Sequence, residues 1–504
     1  MIKGKCLTLL SLVSVGLGSI QAQQKISLEQ CKQMALEHNQ KVLIAGEQVG
    51  AAEAIKKSAK TQFLPSLSAN GMYTRTNKKF SLLEKDMLIP VIPWTAVDPS
   101  TGGLNSGILS PTLPDGSPNP NFNPSVFGNT FAINPGTGQP YTDADGNPVF
   151  KDYAYIPKDK AEFGAKNIYM AGLTLTQPIY LGGKIKETYN IARYGESITK
   201  ANESLEKTEV LYKTEESYWR VVAVGEKVKL VKSYINLLEK LNTDLENLYA
   251  EGIIIKNDLL KVKVKMNEAQ LNLVKAENGL SLSKMALCQQ IGLPLGQEID
   301  LTDTLLADLP VVGDGGFADK ALALRPEIEA LNQSINIARS GVNIMRSRYL
   351  PNIGLTANYM FMNPNPYKGM AEEFGGDWSV GLAVNVPIFH WNDKAHTLRA
   401  ARHEQRVTEL KMEEAKELIT LQVQQAVYQV NESAKRLALA EQSLKQAEEN
   451  LRVANDGFEA GTLKTADVLE AQTLWQNAYS DLIEARMECR LNAVNLRKVT
   501  GELR

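Results

Sequence analysis

The sequence predicts a mixed α/β membrane protein in which short membrane-spanning strands alternate with very long helices, the whole plan being written twice. Three observations predict it. Two proline-free runs of about 67 residues, 183–250 and 392–458, carry apolar residues at helical spacing. Four segments of about ten residues alternate apolar with small or polar side chains. Two constant offsets relate one half of the chain to the other.

The N-terminus stands apart from that plan. Lys3 and Lys5 precede a run of apolar or small residues from Leu7 to Ile20, and Ala22 closes a cleavage site, so 1–22 reads as a secretory signal peptide. No other run of 18 or more apolar residues exists, which leaves no candidate spanning helix. A net charge of −2 offers no basic face, and no nucleic-acid partner is expected. Cys6 falls within the signal. Cys31, Cys288 and Cys489 are odd in number and far apart, which favours buried free thiols over a disulfide framework. No cysteine follows a small-residue lipidation box, so no N-terminal lipid is expected.

The two copies are found by matching motifs. Phe63-Leu64-Pro65 matches Tyr349-Leu350-Pro351 at an offset of 286, and Ala35-Leu36 matches Ala321-Leu322 at the same offset. Pro178-Ile179-Tyr180 matches Pro387-Ile388-Phe389 at an offset of 209, which then holds without a gap. It carries Gly252 onto Gly461, Asp258 onto Asp467 and Gly292 onto Gly501. The drop between the offsets is an insertion in the first copy. Two copies are fewer than a solenoid needs. The first copy is expected over 23–291, a linker over 292–316 and the second copy over 317–504.

Each copy opens with a helix, 27–62 and 317–349, ended by Pro65 and Pro351. The period then becomes two. Strands are expected at 66–76, 168–180, 352–362 and 378–388, with Pro65, Pro178, Pro351 and Pro387 marking the breaks between helix and strand. Leu67, Ala69, Gly71 and Tyr73 share one face of the first strand, and Ser66, Ser68, Asn70 and Thr74 the other. Tyr73, Tyr169, Tyr359, Phe361 and Trp378 lie toward the far strand ends, where an outer aromatic girdle would meet the lipid interface. Four strands cannot close a barrel and open edges are not tolerated in lipid, so the chain must oligomerise, with eight strands in a dimer or twelve in a trimer.

The first strand pair is joined by a long insertion, about 80–165, holding twelve of the 21 prolines, without helical period and expected outside the cell. Asp143-Ala144-Asp145-Gly146 lacks the remaining positions of a calcium loop and reads as a hairpin turn. The long helices follow, with Leu230, Tyr234, Leu237, Leu241, Leu245 and Leu248 in the first and Leu437, Ala440, Leu444, Ala447, Leu451 and Ala454 in the second at coiled-coil spacing. Return helices are expected at 258–291 and 467–500. The linker 292–316 reads as loop with short extended pieces wrapped on the helices.

Motifs for catalysis are absent. Gly182-Gly183-Lys184 lacks the spacing of a phosphate loop, and no nucleophile elbow or zinc helix appears. His390, His396 and His403 read as solvated residues. No cofactor, metal or enzymatic activity is expected.

The segment Phe458–Ala471, FEAGTLKTADVLEA, resembles the periplasmic tip of TolC-family outer-membrane efflux proteins, and 249–260 resembles the matching first-copy tip. The segment Ala321–Glu327, ALALRPE, is similar to the family's recurrent second-half segment. The resemblance implies a homotrimer whose twelve-stranded barrel in the outer-membrane lipid bilayer continues into a twelve-helix periplasmic tunnel. It implies a passive exit duct, docked by a periplasmic adaptor (membrane fusion) protein of an inner-membrane pump of RND, MFS or ABC type. Asp467 and Glu470 match acidic residues that ring the tunnel's closed end, and Asp258 with Lys261 is their first-copy counterpart. Asp467 and Asp258 also suit a helix N-terminus, with Thr465 and Asn257 as caps. Leu463 stands where an arginine can lock the tip, so the closing links differ here, and a Glu470–Lys261 bridge is expected among them. Gly252, Ile254, Gly461 and Leu463 are the expected adaptor-docking tips. A trimeric coiled-coil surface stalk or adhesin with a membrane anchor is the alternative.

Overall fold

The computed structural model describes residues 24–305 and 315–503. The expected signal peptide 1–22 lies outside them, as does 306–314 of the linker.

Along the chain run β1 (Gln24–Ile26), α1 (Leu28–His38), α2 (Gln40–Thr61), β2 (Ser66–Arg75), β3 (Asn167–Leu181), α3 (Lys184–Ala250) and α4 (Lys256–Ile291). After these come β4 (Ile299–Leu301), α5 (Phe317–Leu324), α6 (Pro326–Ser347), β5 (Asn352–Asn363), β6 (Gly375–Asn385), α7 (Asp393–Glu459) and α8 (Thr465–Val499). Both α3 and α7 are 67 residues long, and both α2 and α6 are 22. At 1.5 Å per residue, α3 and α7 each extend about 100 Å.

The chain forms two compact units, one helical (residues up to 62, 181–351 and 386 onward) and one built from 63–180 and 352–385. In the helical unit α3 packs antiparallel with α4, and α7 with α8. Leu230, Tyr234, Leu241 and Leu245 are buried on α3, and Leu437, Ala440, Leu444, Leu451 and Ala454 on α7. The expected stripe omitted Leu238, which has no exposed surface. Truncating such a side chain to alanine costs about 2–5 kcal/mol.

The single helices expected over 27–62 and 317–349 are each broken once. Asn39 (φ −69°, ψ 127°) leaves the helical region, and its Oδ1 accepts the Lys41 N–H at 2.9 Å to start α2. Its Nδ2 donates to the Gln290 carbonyl at 2.8 Å, locking the break onto the end of α4. Arg325 (φ −72°, ψ 128°) makes the second break because Pro326 follows it, and proline disfavours helical backbone in its predecessor. Lys32 on α1 is ion-paired with buried Glu215 on α3 at 2.5 Å.

The linker, expected as loop with short extended pieces, contains one such piece as the strand β4. β4 pairs in parallel with β1, Ile26 opposite Leu301, and buries Ile26 and Ile299. Just beyond, the Tyr218 hydroxyl donates to Asp303 Oδ2 at 2.6 Å, fixing this segment to α3. The three cysteines of the described residues are buried and free. Burial, helped by nearby Asp303 and Cys288, pushes the Cys31 thiol up to about 12. At pH 8 the native protein is therefore expected to react negligibly with a disulfide-exchange reagent such as DTNB, and to titrate its thiols only after denaturation. Rapid native labelling of Cys31 would contradict this packing.

In the second unit the strands lie in the order β6-β5-β3-β2. β2 pairs antiparallel with β3 from Ser66↔Thr176 to Arg75↔Asn167, and β5 with β6 from Asn352↔Asn385 to Met362↔Gly375. The fourth strand therefore begins three residues earlier than expected and ends before Pro387. Pro178 lies inside β3 and is not a break. Pairing with β2 stops at Thr176, so no N–H is required of Pro178 on that side. Pro65 and Pro351 immediately precede their strands. Apolar residues face one another across the ladders: Leu67↔Leu175, Ala69↔Leu173, Leu355↔Leu382 and Ile353↔Val384. The Tyr73 and Tyr169 rings are 5.0 Å apart, and Tyr359 lies opposite Trp378. Phe374, which the strand pattern did not mark, stacks on Phe361 at 5.2 Å and meets Tyr169 at 5.9 Å.

The insertion has more structure than its composition suggested. Two short ladders, Phe80–Ser81 with Glu162–Phe163 and Met87–Val91 with Asp152–Ile156, close its base. Short helices Ser106–Leu109 and Pro124–Thr130 are capped by the side chains of Asn105 and Asn123. They surround a core of Ala96, Leu109, Phe127 and Phe131. Asp143 sits in a hairpin turn, where its carboxylate accepts the Asn147 and Asp145 N–H groups at 2.8 and 3.0 Å. Among the described residues no cluster of acidic, histidine or cysteine side chains is placed to hold a metal.

Candidate functional site

The sequence places its candidate functional residues at the turns α3–α4 and α7–α8. Both turns are built alike. After α3 the Ile253 N–H reaches back to the Leu248 carbonyl at 2.9 Å and the Gly252 N–H to Tyr249 at 3.0 Å. After α7 the Thr462 N–H reaches Gly457 at 2.8 Å and the Gly461 N–H reaches Phe458 at 2.9 Å. These are Schellman motifs, which require a left-handed residue; Gly252 (φ +69°) and Gly461 (φ +74°) supply it.

The turns point their side chains differently from the expectation. Leu463 folds inward, against Leu451, Ala454 and Ala471, and its Cδ1 approaches the space beside Gly457. Ile254 likewise packs with Leu245, Leu259 and Val468. Ile253 and Ile255 are the apolar tip residues that project, at 64% and 65% exposure. Local spacing could not distinguish them, because the Schellman turn rather than helical periodicity sets which side chain faces the pair.

The helix starts also differ. α8 begins at Thr465 with Lys464 as its N-cap, and its first-copy counterpart, the return helix α4, begins at Lys256 with Ile255 as its N-cap, so neither Thr465 nor Asn257 caps. Asp467 lies in the first turn of α8, and its Oδ2 accepts the Lys464 N–H at 2.8 Å. Such an acid satisfies an orphan donor and suits the helix dipole. Asp258 lies in the first turn of α4 and pairs with Lys261 at 3.2 Å. Lys261 thus turns to its own helix neighbour three residues away, and the expected Glu470–Lys261 bridge is not formed within the chain. Glu470 is exposed. Asp258, Lys261, Gly461 and Leu463 line one cleft of about 860 Å³ between the two turns. Gln472, unmarked by sequence, also lines it; the residue is 2% exposed and its Oε1 has no hydrogen-bond partner. The cleft thus offers paired charges and one buried acceptor but no nucleophile–base arrangement.

A family model described as outer membrane efflux protein matches residues 317–502. The alkaline protease secretion protein AprF of Pseudomonas aeruginosa is 21% identical over 352 residues, covering 66% of this chain and 70% of that one. The outer membrane protein TolC of Vibrio cholerae is 23% identical over 298 residues, 58% of this chain and 68% of that one. The second half of the chain thus matches the outer membrane efflux protein model, and the chain is similar to TolC-type outer-membrane proteins. The crystal structure of CusC superposes with a TM-score of 0.69 at 13% identity, covering 97% of this chain and 95% of that one. The Campylobacter jejuni CmeC outer membrane channel does so at 0.67 and 16% identity, covering 94% and 85%. The chain is an outer-membrane protein with a periplasmic helical domain, and the surface-stalk alternative has no support.

Proposed function

We propose that this chain is one subunit of a homotrimeric exit duct of an efflux or type I secretion system. Three copies would supply twelve strands to a closed barrel and twelve helical segments to a tunnel, each chain contributing two similar halves. One observation carries the oligomer. Both α4 and α7 have apolar stripes left uncovered within the chain: Leu260, Val264, Leu271, Val274 and Leu282 on α4, and Leu410, Leu421, Tyr428 and Leu439 on α7. Stripes of this length at helical spacing call for partner helices. The open sheet edges, β2 and β6, call for partner strands.

The duct has no chemistry of its own and is powered by an inner-membrane pump through a periplasmic adaptor. Three copies of Asp467 and Glu470 would ring the periplasmic mouth and favour cations there. Ile253 and Ile255 are the surface offered to the adaptor. The deciding measurement is the molar mass of the detergent-extracted protein with bound detergent subtracted. A value near three times the chain is expected, and a stable monomer would overturn the duct. Cysteines at Ile253 or Ile255 should then crosslink to an adaptor when the pump is assembled.

A further inference from the structure

We propose that the polar face of the four-stranded sheet carries a thioether site for a soft monovalent cation, Cu(I) or Ag(I), built by Met72, Met170, Met360 and Met362. Along that face the residues are small or polar for most of each strand: Ser66, Ser68 and Asn70 on β2, Thr176, Thr174 and Gly172 on β3, and Gly354, Thr356 and Asn358 on β5. At the end away from Pro65 and Pro351 the pattern changes, and three adjacent strands carry methionine.

The register brings these methionines together. Met72 lies directly opposite Met170. β3 and β5 are neighbours, and the Cβ position of Gly172 is 3.5 Å from the Tyr359 carbonyl oxygen, so Met360 and Met362 fall beside Gly172 and Met170. The alternation fixes the face. Tyr169 and Phe361 both pack on Phe374, and Tyr73 packs on Tyr169, so the residues next in sequence to these aromatics point the other way. Directly opposed side chains have Cβ atoms about 4.5–5.5 Å apart, and the flexible methionine chain lets sulfur atoms from neighbouring strands converge.

Core filling does not account for the group. The aromatic cluster occupies the opposite face, and Met72 and Met360 are 51% and 44% exposed on the chain. Neutral thioethers are soft ligands that select Cu(I) over hard divalent ions. Asp377 lies opposite Met360 and adds a carboxylate at the margin to balance the cation's charge. The site stands on the sheet register within one chain. Only its access from the duct lumen rests on the function proposed above.

The test is Ag(I) binding to the full-length detergent-extracted protein in chloride-free buffer, by calorimetry and by metal analysis after gel filtration. The comparison is the Met72→Leu/Met170→Leu/Met362→Leu variant, which conserves volume. The buried thiols are present in both proteins, so the difference reports the methionines. At least one additional Ag(I) per chain is expected in the unsubstituted protein, with affinity at least tenfold above the variant's, and no comparable uptake of Zn(II). Equal stoichiometry and affinity would overturn the site. Should the variant fail to fold, methyl resonances of ¹³C-methionine-labelled protein decide instead: Ag(I) must shift those of Met72, Met170 and Met362, and unmoved resonances overturn the proposal. A monomer that binds Ag(I) keeps the site and removes the duct, whereas a conducting trimer that binds none removes the site alone.

Discussion

Replacing Gly292 by valine is expected to lower the stability of the helical unit by about 2–5 kcal/mol, summing a left-handed backbone cost of about 1–2 with an overpacking cost of about 1–3. Gly292 ends α4 with φ +76°, a conformation that a β-branched residue resists. A Cβ there would stand 2.5 Å from His38 Cβ and 3.1 Å from the His38 carbonyl oxygen. Backbone relief is blocked nearby, since Asn39 holds the Gln290 carbonyl at 2.8 Å. The substitution would therefore separate the end of α4 from the α1–α2 break. Gly296→Val is the control, because no atom lies within 4 Å of its Cβ position; a change below about 1 kcal/mol is expected there, as for surface substitutions generally. Denaturant unfolding followed by circular dichroism measures both. Equal shifts would mean that the close approach at His38 is not a structural constraint.

The same junction shows where sequence reasoning reaches its limit. Long apolar periodicity and strict alternation are signals repeated over many residues, so α3, α7 and the strands were legible to within a few positions. A break set by a single residue is not. Asn39 interrupts a helical pattern without disturbing the apolar spacing on either side, and its partner, Gln290, is 251 residues away. β1 and β4 are three residues each, too short for a period, and gain their stability only by pairing across the chain. At the tips the glycines were readable because a left-handed turn demands them. Which isoleucine projects was not, since Ile253, Ile254 and Ile255 have the same composition and differ only in turn geometry. The break at Arg325 was the most accessible of the missed features: Pro326 carried a local signal for it.

The largest expected effect separates the two faces of the sheet. Leu382→Arg should abolish assembly in the outer membrane. Leu382 sits in the middle of β6 opposite Leu355, 61% exposed on the chain, on the face that the barrel would turn to lipid. An arginine facing lipid at the midplane costs about 2–4 kcal/mol, and a trimer carries three, roughly 6–12 in all. Thr356→Arg lies only one residue along from Leu355 and faces the other way. Opposite it is Gly381, which leaves space for a long side chain. It should assemble normally and narrow the pore, lowering single-channel conductance and reducing preference for cations. Molar mass after extraction reads the first effect, and planar bilayers read the second. The contrast matters more than either variant alone, since general misfolding would affect both. If Leu382→Arg assembles as well as Thr356→Arg does, the apolar face is not in lipid. The alternation along these strands would then belong to a protein–protein interface, and the four strands would not be part of a membrane duct.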